Sequence, residues 1–176
     1  SKMKKLLIIL VGVLLLATVQ AQDLEGSIAV LDANTALAST EHANQALEEL
    51  RSTKEWKEVE EDLQIKVNEY KDIQENLEKE GLTMSEEEIM GAQKRLNSLS
   101  QDINFLQQKS QTMYQDLQRL VSNQQFPKFN KIVTELARSK GIKIILHKNA
   151  VILFDEGDPL LNLTPEVVEL LNQKEE

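Results

Sequence analysis

The chain has 176 residues, a formal net charge of −9 and no cysteine. An acidic chain with 4% aromatic residues lacks both the basic surface and the stacking platforms that nucleic-acid binding requires, so nucleic acid is not expected as a partner. The missing cysteines exclude disulfides and thiolate metal sites. The six glycines are isolated from one another, which excludes a glycine-rich phosphate loop.

The first residues predict a secretory signal. Three lysines at positions 2, 4 and 5 precede an apolar run, Leu6 to Ala17, and Val19-Gln20-Ala21 offers a small-residue cleavage site. The alternative is a retained membrane anchor, but the run is shorter than the roughly 20 apolar residues of a spanning helix. We therefore expect residues 1–21 to be cleaved and the mature protein to begin at Gln22 in a bacterial periplasm.

A short strand and a long helix are predicted next. The apolar run 27–32 is typical of a buried strand. Residues 34–80 contain neither proline nor glycine and are rich in good helix formers. Apolar residues recur there at heptad spacing, which predicts a packing seam made of Trp56, Val59, Leu63, Tyr70, Ile73 and Leu77. The apolar positions upstream follow a shifted frame, so the seam is expected to break within Arg51–Glu55.

A second long helix follows a tight connection. Gly81 is expected to end the first helix, and Ser85 with Glu88 forms a capping box that opens the next one. About four heptads predict a coiled-coil seam here. Its members are Ile89, Leu96, Leu99, Ile103, Leu106, Met113, Leu117 and Leu120. Pro127 predicts a kink, and Gly141 predicts the end of the helix.

The C-terminal part changes to a β-rich pattern. The runs 142–146 and 150–154 predict two strands of a hairpin, and Thr164-Pro165 opens a short final helix. The predicted core of this part, which also forms the expected oligomer contact, consists of Ile28, Val30, Ile142, Ile144, Leu146, Val151 and Leu153.

These elements predict a mainly helical α+β fold. Residues 35–140 form an antiparallel coiled-coil hairpin, called the arm, with its tip near 81–84. Residues 22–34 and 141–176 form a small β head. A body of three short strands and one helix buries little apolar surface and leaves sheet edges open. We therefore expect the heads of several chains to associate.

No residues are predicted to carry out catalysis or to bind a cofactor or metal, so the protein is not expected to be an enzyme. His42 and His147 lie far apart and have no ligand-spaced partners. The acidic run 58–62 lies within a helix and lacks the glycine turn of a calcium loop. The apolar seams are assigned to helix packing, which leaves the other faces of the arm for binding a partner.

A family resemblance rests on several segments in order: 28–32 leading to Ala36-Leu37, the tip 81–87, 140–146, 148–151 and 163–168. In this arrangement the chain resembles the Skp/OmpH family of periplasmic chaperones over essentially its whole mature length. The resemblance implies a homotrimer whose heads form one barrel and whose three arms surround a cavity. It also implies ATP-independent holding of unfolded outer-membrane proteins, without a cofactor.

The sequence departs from the family pattern in two ways. His147 stands where the family commonly has an aspartate, and the chain is acidic where members are often basic. The acidic charge argues against contact with lipopolysaccharide or membrane lipid and favours basic protein partners. A structural coiled-coil or adaptor protein of the envelope, binding one folded partner, is the alternative function. The β segments at both ends of the hairpin favour the chaperone, because a spacer would not need them.

Overall fold

The computed structural model describes residues 26–173 and confirms a mainly helical α+β chain. The elements in chain order are β1 (Ile28–Leu31), α1 (Ala33–Ala38), α2 (Glu41–Ser52), α3 (Lys54–Glu80), α4 (Glu86–Lys140), β2 (Ile144–His147) and α5 (Thr164–Asn172). The predicted signal sequence lies outside the described residues. Within residues 26–173, no helix combines the length and the apolar character needed to cross a membrane.

The described residues divide into two compact units. The strand unit comprises residues 26–32 and 134–163, and the helical unit comprises residues 33–133 and 164–173. The predicted head also included residues 164–176, but the helix α5 in that range packs against α1 in the helical unit. Residues 134–140, which the prediction placed in the arm, group with the strand unit.

The strand unit is built around β1, which pairs in parallel with β2 and places Ile28 opposite Ile144. On the other edge of β1, the Val30 N–H donates to the Leu161 carbonyl at 2.7 Å. The Leu163 N–H donates to the Val30 carbonyl at 3.0 Å. Both edges of β1 are therefore occupied within the unit.

The predicted hairpin of strands 142–146 and 150–154 is wrong. β2 pairs with β1 instead, and a 3₁₀ turn at Lys148–Ala150 follows it. The His147 Nδ1 atom caps this turn by accepting a hydrogen bond from the Asn149 N–H at 3.2 Å. Residues 151–154 form no strand, although β1 is the only strand that pairs with β2 among the described residues. The chain leaves β2 through the 3₁₀ turn and not through a hairpin turn, so a β-rich composition alone does not make the second strand.

The predicted single helix over 34–80 is three helices. The Thr40 and Thr53 hydroxyls accept hydrogen bonds from the backbone N–H groups of Ala43 (3.1 Å) and Trp56 (3.2 Å), which caps α2 and α3. Threonine caps compete with continued helix because they satisfy backbone donors that a helix start leaves free. Thr53, where α2 ends and α3 begins, lies within Arg51–Glu55, the segment in which the heptad frame was expected to shift.

The tip and the end of α4 follow the expected capping chemistry. The Ser85 N–H donates to the Glu88 carboxylate at 2.7 Å and the Glu88 N–H donates to the Ser85 hydroxyl at 3.2 Å, so the capping box is confirmed. α4 continues through Pro127 without a break. It ends as expected at Gly141, whose φ of +67° lets the Ile142 N–H return to the Ala137 carbonyl at 2.9 Å.

Each unit has its own apolar core. Buried apolar residues of the strand unit are Ala29, Val30, Leu31, Leu136, Ile142 and Leu163. Those of the helical unit are Ala36, Leu37, Val59, Leu99, Leu106, Val121, Phe129, Ile132, Val167 and Leu171. Long-range hydrogen bonds hold the base of the helical unit, where Gln125 Nε2 donates to the Leu37 carbonyl at 2.9 Å and Lys128 Nζ donates to the Leu171 carbonyl at 2.9 Å.

Candidate functional site

Ion pairs between α3 and α4 define the register of the antiparallel hairpin. Glu55 pairs with Lys109 at 3.0 Å near the N-terminus of α3. Two heptads further along α3 and two heptads back along α4, Glu69 pairs with Arg95 through two hydrogen bonds of 2.7 and 2.8 Å. A third pair, Lys66 with Asp102 at 3.2 Å, lies between them. One constant antiparallel register therefore covers the middle of the arm.

Two carboxylates of the arm have altered titration. The hydrogen bonds from Arg95 lower the pKa of Glu69, and the same contact raises the pKa of Arg95. The pKa of Glu88 is lowered by the backbone hydrogen bond from Ser85 and, secondly, by the Ser85 hydroxyl. Both carboxylates are thereby held in the charged form by structural contacts, and neither arrangement needs a catalytic role.

The predicted seam residues differ in burial. Val59, Leu99 and Leu106 are buried. Half-buried members are Trp56, Leu63, Tyr70, Ile73, Leu77, Ile89, Leu96, Ile103, Met113 and Leu117. Leu120 departs from the stripe because it is 55% exposed, while the next residue, Val121, is 4% exposed. Beyond Leu117, the buried seam of α4 therefore moves by one residue, from Leu120 to Val121, and continues to the buried Gln125.

One side of α4 carries only uncharged polar side chains. Residues at successive steps of three or four lie on one helix face. Such a series, named here the amide stripe, consists of Gln93, Asn97, Ser100, Asn104, Gln107, Gln111, Tyr114, Gln118 and Ser122. All are exposed except Ser122, which is half-buried, and none of the nine side chains hydrogen-bonds to another residue in the described part of the chain. The stripe therefore offers free donors and acceptors to solvent.

The charged residues of this stretch fall outside the stripe. Arg95, Asp102, Lys109 and Asp116 follow one another at intervals of seven residues, which places them on one line along the helix. Three of the four pair with α3, and Asp116 pairs with Arg119 at 2.5 Å. This line is named the charged line. The amide stripe is thus free of charged residues, whereas the charged line lies on a different side of α4.

Two concavities open along the amide stripe. The smaller, of about 310 Å³, is lined by Val67, Tyr70 and Ile103 together with the stripe residues Ser100 and Asn104. The larger, of about 400 Å³, has apolar walls that include Leu37, Leu47, Leu117 and Val121. The stripe residues Tyr114, Gln118 and Ser122 line it as well, together with Arg119. Each concavity therefore combines apolar walls with neutral polar groups and one basic side chain, which is Lys71 in the smaller concavity.

The strand unit exposes much of its predicted core. Val30 and Ile142 are buried and Val151 is half-buried. The other predicted members are exposed together with two apolar residues that sequence reasoning did not single out, Ile152 and Leu160. This set, named the head apolar surface, comprises Ile28, Ile144, Leu146, Ile152, Leu153 and Leu160. Six large exposed apolar side chains on so small a unit indicate a surface for binding or association.

The histidines have local structural contacts. His42 Nε2 lies 2.8 Å from the Gln124 side-chain oxygen, and His147 caps the 3₁₀ turn. Within residues 26–173, no group of three or more histidine, cysteine or acidic side chains is placed to hold a metal ion.

Sequence reasoning missed the amide stripe although its signal is present. The four positions 97, 104, 111 and 118 share one heptad position and all carry an amide side chain. An amide repeat contributes nothing to an apolar heptad pattern, so the pattern alone does not distinguish these positions from other exposed ones. The ion pairs of Arg95, Asp102 and Lys109 with α3 distinguish them, because they place the charged line on another side of α4.

Comparison with known proteins gives a family assignment. The chain is similar to the crystal structure of a candidate outer membrane chaperone (OmpH-like) from Caulobacter crescentus, with 15% identity, 83% of each chain covered and a TM-score of 0.45. Similarity at this level does not carry a function over. No curated protein matches the chain. The model of the OmpH-like outer membrane protein family matches residues 27–171, and the chain belongs to this OmpH-like family.

Proposed function

We propose that the protein is an ATP-independent holdase chaperone of the periplasm. It acts as a homotrimer that binds unfolded outer-membrane proteins, its clients, in a cavity between helical arms. In this proposal residues 1–21 are the cleaved signal, the β head of residues 22–34 and 141–176 mediates assembly, and the arm of residues 35–140 contacts clients. Membership of the OmpH-like family supports a chaperone role.

The observation that carries the assembly is the head apolar surface. Ile144 and Leu146 are 50% and 38% exposed although they belong to a strand paired with β1. Covering such side chains contributes about 25 cal/mol for each Å² of apolar surface removed from water. Identical copies can cover them mutually, and the edge of β2 that β1 does not pair can then find a strand partner in another copy.

The arm supports client holding through its length and its exposed polar surface. α3 has 27 residues, which corresponds to roughly 40 Å of helix. Several such arms around one axis would enclose a cavity that holds a client without contacts at one fixed binding site. The acidic net charge favours clients with basic segments and argues against lipopolysaccharide or membrane lipid as a partner.

The test is protection of an unfolded client against aggregation. An outer-membrane β-barrel protein unfolded in urea is diluted into buffer without ATP, with or without the mature protein, and light scattering is recorded. We expect scattering to be suppressed once three copies are present per client, and added ATP to change nothing. Scattering that is unaffected by excess protein would contradict the holdase and leave the structural adaptor as the better hypothesis.

A further inference from the structure

We infer that clients bind along the amide stripe of α4, as extended and uncharged polypeptide segments, and not along the charged line. This inference rests on the proposed holdase function and assigns it to one side of the arm. The stripe runs from Gln93 to Ser122 and lies entirely within the helical unit.

The amide and hydroxyl groups of the stripe are suited to binding the backbone of an unfolded chain. Amide side chains both donate and accept hydrogen bonds, and hydroxyls do the same. An unfolded chain in extended form presents backbone N–H and C=O groups that have no partners of their own. The stripe can satisfy both kinds of backbone group in either chain direction and without regard to sequence. Its side chains are available because they make no hydrogen bonds within the described residues.

Charge is a further feature of the stripe. No stripe position is charged, and the charged side chains that line the two concavities, Lys71 and Arg119, are both basic, so a client segment bearing a positive charge would lose hydration there without gaining a counter-charge. An uncharged segment meets no such penalty. Membrane-spanning β-strands alternate apolar with polar residues and carry few charges on the lipid side. The neutral stripe is therefore complementary to the chemistry of such segments.

The spacing of the two concavities along α4 fits one extended client segment. Ile103 lines the smaller concavity and Leu117 lines the larger one. Fourteen helical residues separate them, which corresponds to about 21 Å along α4. An extended chain covers that distance in about six residues. Two apolar side chains six residues apart point to the same face of a strand, so one extended segment can occupy both concavities.

The opposite side offers a competing surface, which makes a sharp control available. Phe105 is 66% exposed and lies three residues after Asp102 and four before Lys109, beside the charged line. If exposed apolar area alone attracted clients, Phe105 would contact them. The ion pairs of Asp102 and Lys109 with α3 already use the polar groups around it.

Site-specific photo-cross-linking distinguishes the two sides in the full mature protein. p-Benzoylphenylalanine is placed at position 107 on the stripe or at position 105 beside the charged line, and each protein is irradiated with a urea-diluted outer-membrane β-barrel protein. We expect client cross-links from position 107 to exceed those from position 105 about fivefold or more. Equal yields, or a higher yield at 105, would overturn the inference. Cross-links from 107 to a second copy of the chain instead of the client would also overturn it.

A matched pair of variants measures the contribution to affinity. Ser100→Glu with Gln111→Glu puts two charges on the stripe, and Ser98→Glu with Thr112→Glu puts two charges on the other side of the same helix. All four positions are exposed and glutamate is a good helix former, so both variants are expected to keep their helical content. We expect the Kd for the client to rise about fivefold for the stripe variant, the equivalent of about 1 kcal/mol, and less than twofold for the control.

The two proposals fail in distinguishable ways. If the unmodified protein does not suppress aggregation, the holdase function fails. If it does suppress aggregation while both double variants bind clients equally well, the holdase function stands and the assignment to the amide stripe is wrong.

Discussion

Single positions of the heptad pattern have unequal energetic weight, although the sequence presents them as equivalent. Leu99 and Leu120 both occupy the same predicted heptad position of α4. Leu99 is completely buried, whereas Leu120 is 55% exposed. The heptad periodicity predicted an apolar seam on α4 but not the point where the buried position changes from Leu120 to Val121. That change depends on the helices that pack against the C-terminal part of α4.

This difference predicts unequal losses of stability. Leu99→Ala should lower the free energy of unfolding by about 2–5 kcal/mol, because it removes a fully buried side chain and leaves a cavity. Leu120→Ala should lower it by less than about 1 kcal/mol, since an exposed leucine loses few contacts. Urea unfolding followed by circular dichroism measures both values. Similar losses would mean that Leu120 is buried in the assembled protein.

At the scale of elements, the sequence was most informative where local chemistry decides the structure. The capping box at Ser85 and the terminator at Gly141 are determined by neighbouring residues, and both were predicted correctly. The strand at 150–154 was predicted wrongly because its β-rich composition says nothing about the connection, which is a 3₁₀ turn capped by His147 and not a hairpin turn. The breaks at Thr40 and Thr53 have a local signal, but helix propensity over 34–80 outweighed it in the prediction.

The pairing of α3 with α4 predicts a pH dependence. The folded-state pKa of Glu69 is lowered by Arg95, so its stabilising contribution is fully present above the unfolded value of 4.5 and is lost as the pH falls through the folded value. Glu69→Gln should therefore lower the Tm at pH 7, and the difference from the unmodified protein should disappear as the pH falls well below 4.5. Differential scanning calorimetry over this range measures the change.

A matched variant controls for the general loss of negative charge. Glu78→Gln alters an exposed carboxylate of α3 that forms no ion pair among the described residues. Its Tm difference from the unmodified protein should stay nearly constant with pH. A difference for Glu69→Gln that persists unchanged at pH 2 would show that the ion pair with Arg95 does not stabilise the arm.

At the scale of the whole molecule, the arm and the head could be predicted from the sequence to different extents. The hairpin of the arm could be predicted, since heptads and a short connection determine it, but the helix breaks at Thr40 and Thr53 were not predicted. The head could not, because its apolar residues Ile144, Leu146 and Leu153 remain exposed on one chain. These residues are apolar enough to form a core, yet a single chain leaves them exposed. This is expected of a protein whose core is completed when several copies associate.

The mass of the complex formed with a client tests two claims at once, that the protein is a trimer and that it holds a client. The mature protein is mixed with a urea-unfolded outer-membrane β-barrel protein in ATP-free buffer, and the complex is analysed by native mass spectrometry. We predict three copies of the chain with one client. Leu146→Asp, which places a charge at a 38% exposed position of the head apolar surface, should give single folded copies without a client. A client bound to a single copy, or no complex at all while the client aggregates, would contradict the proposed trimeric holdase.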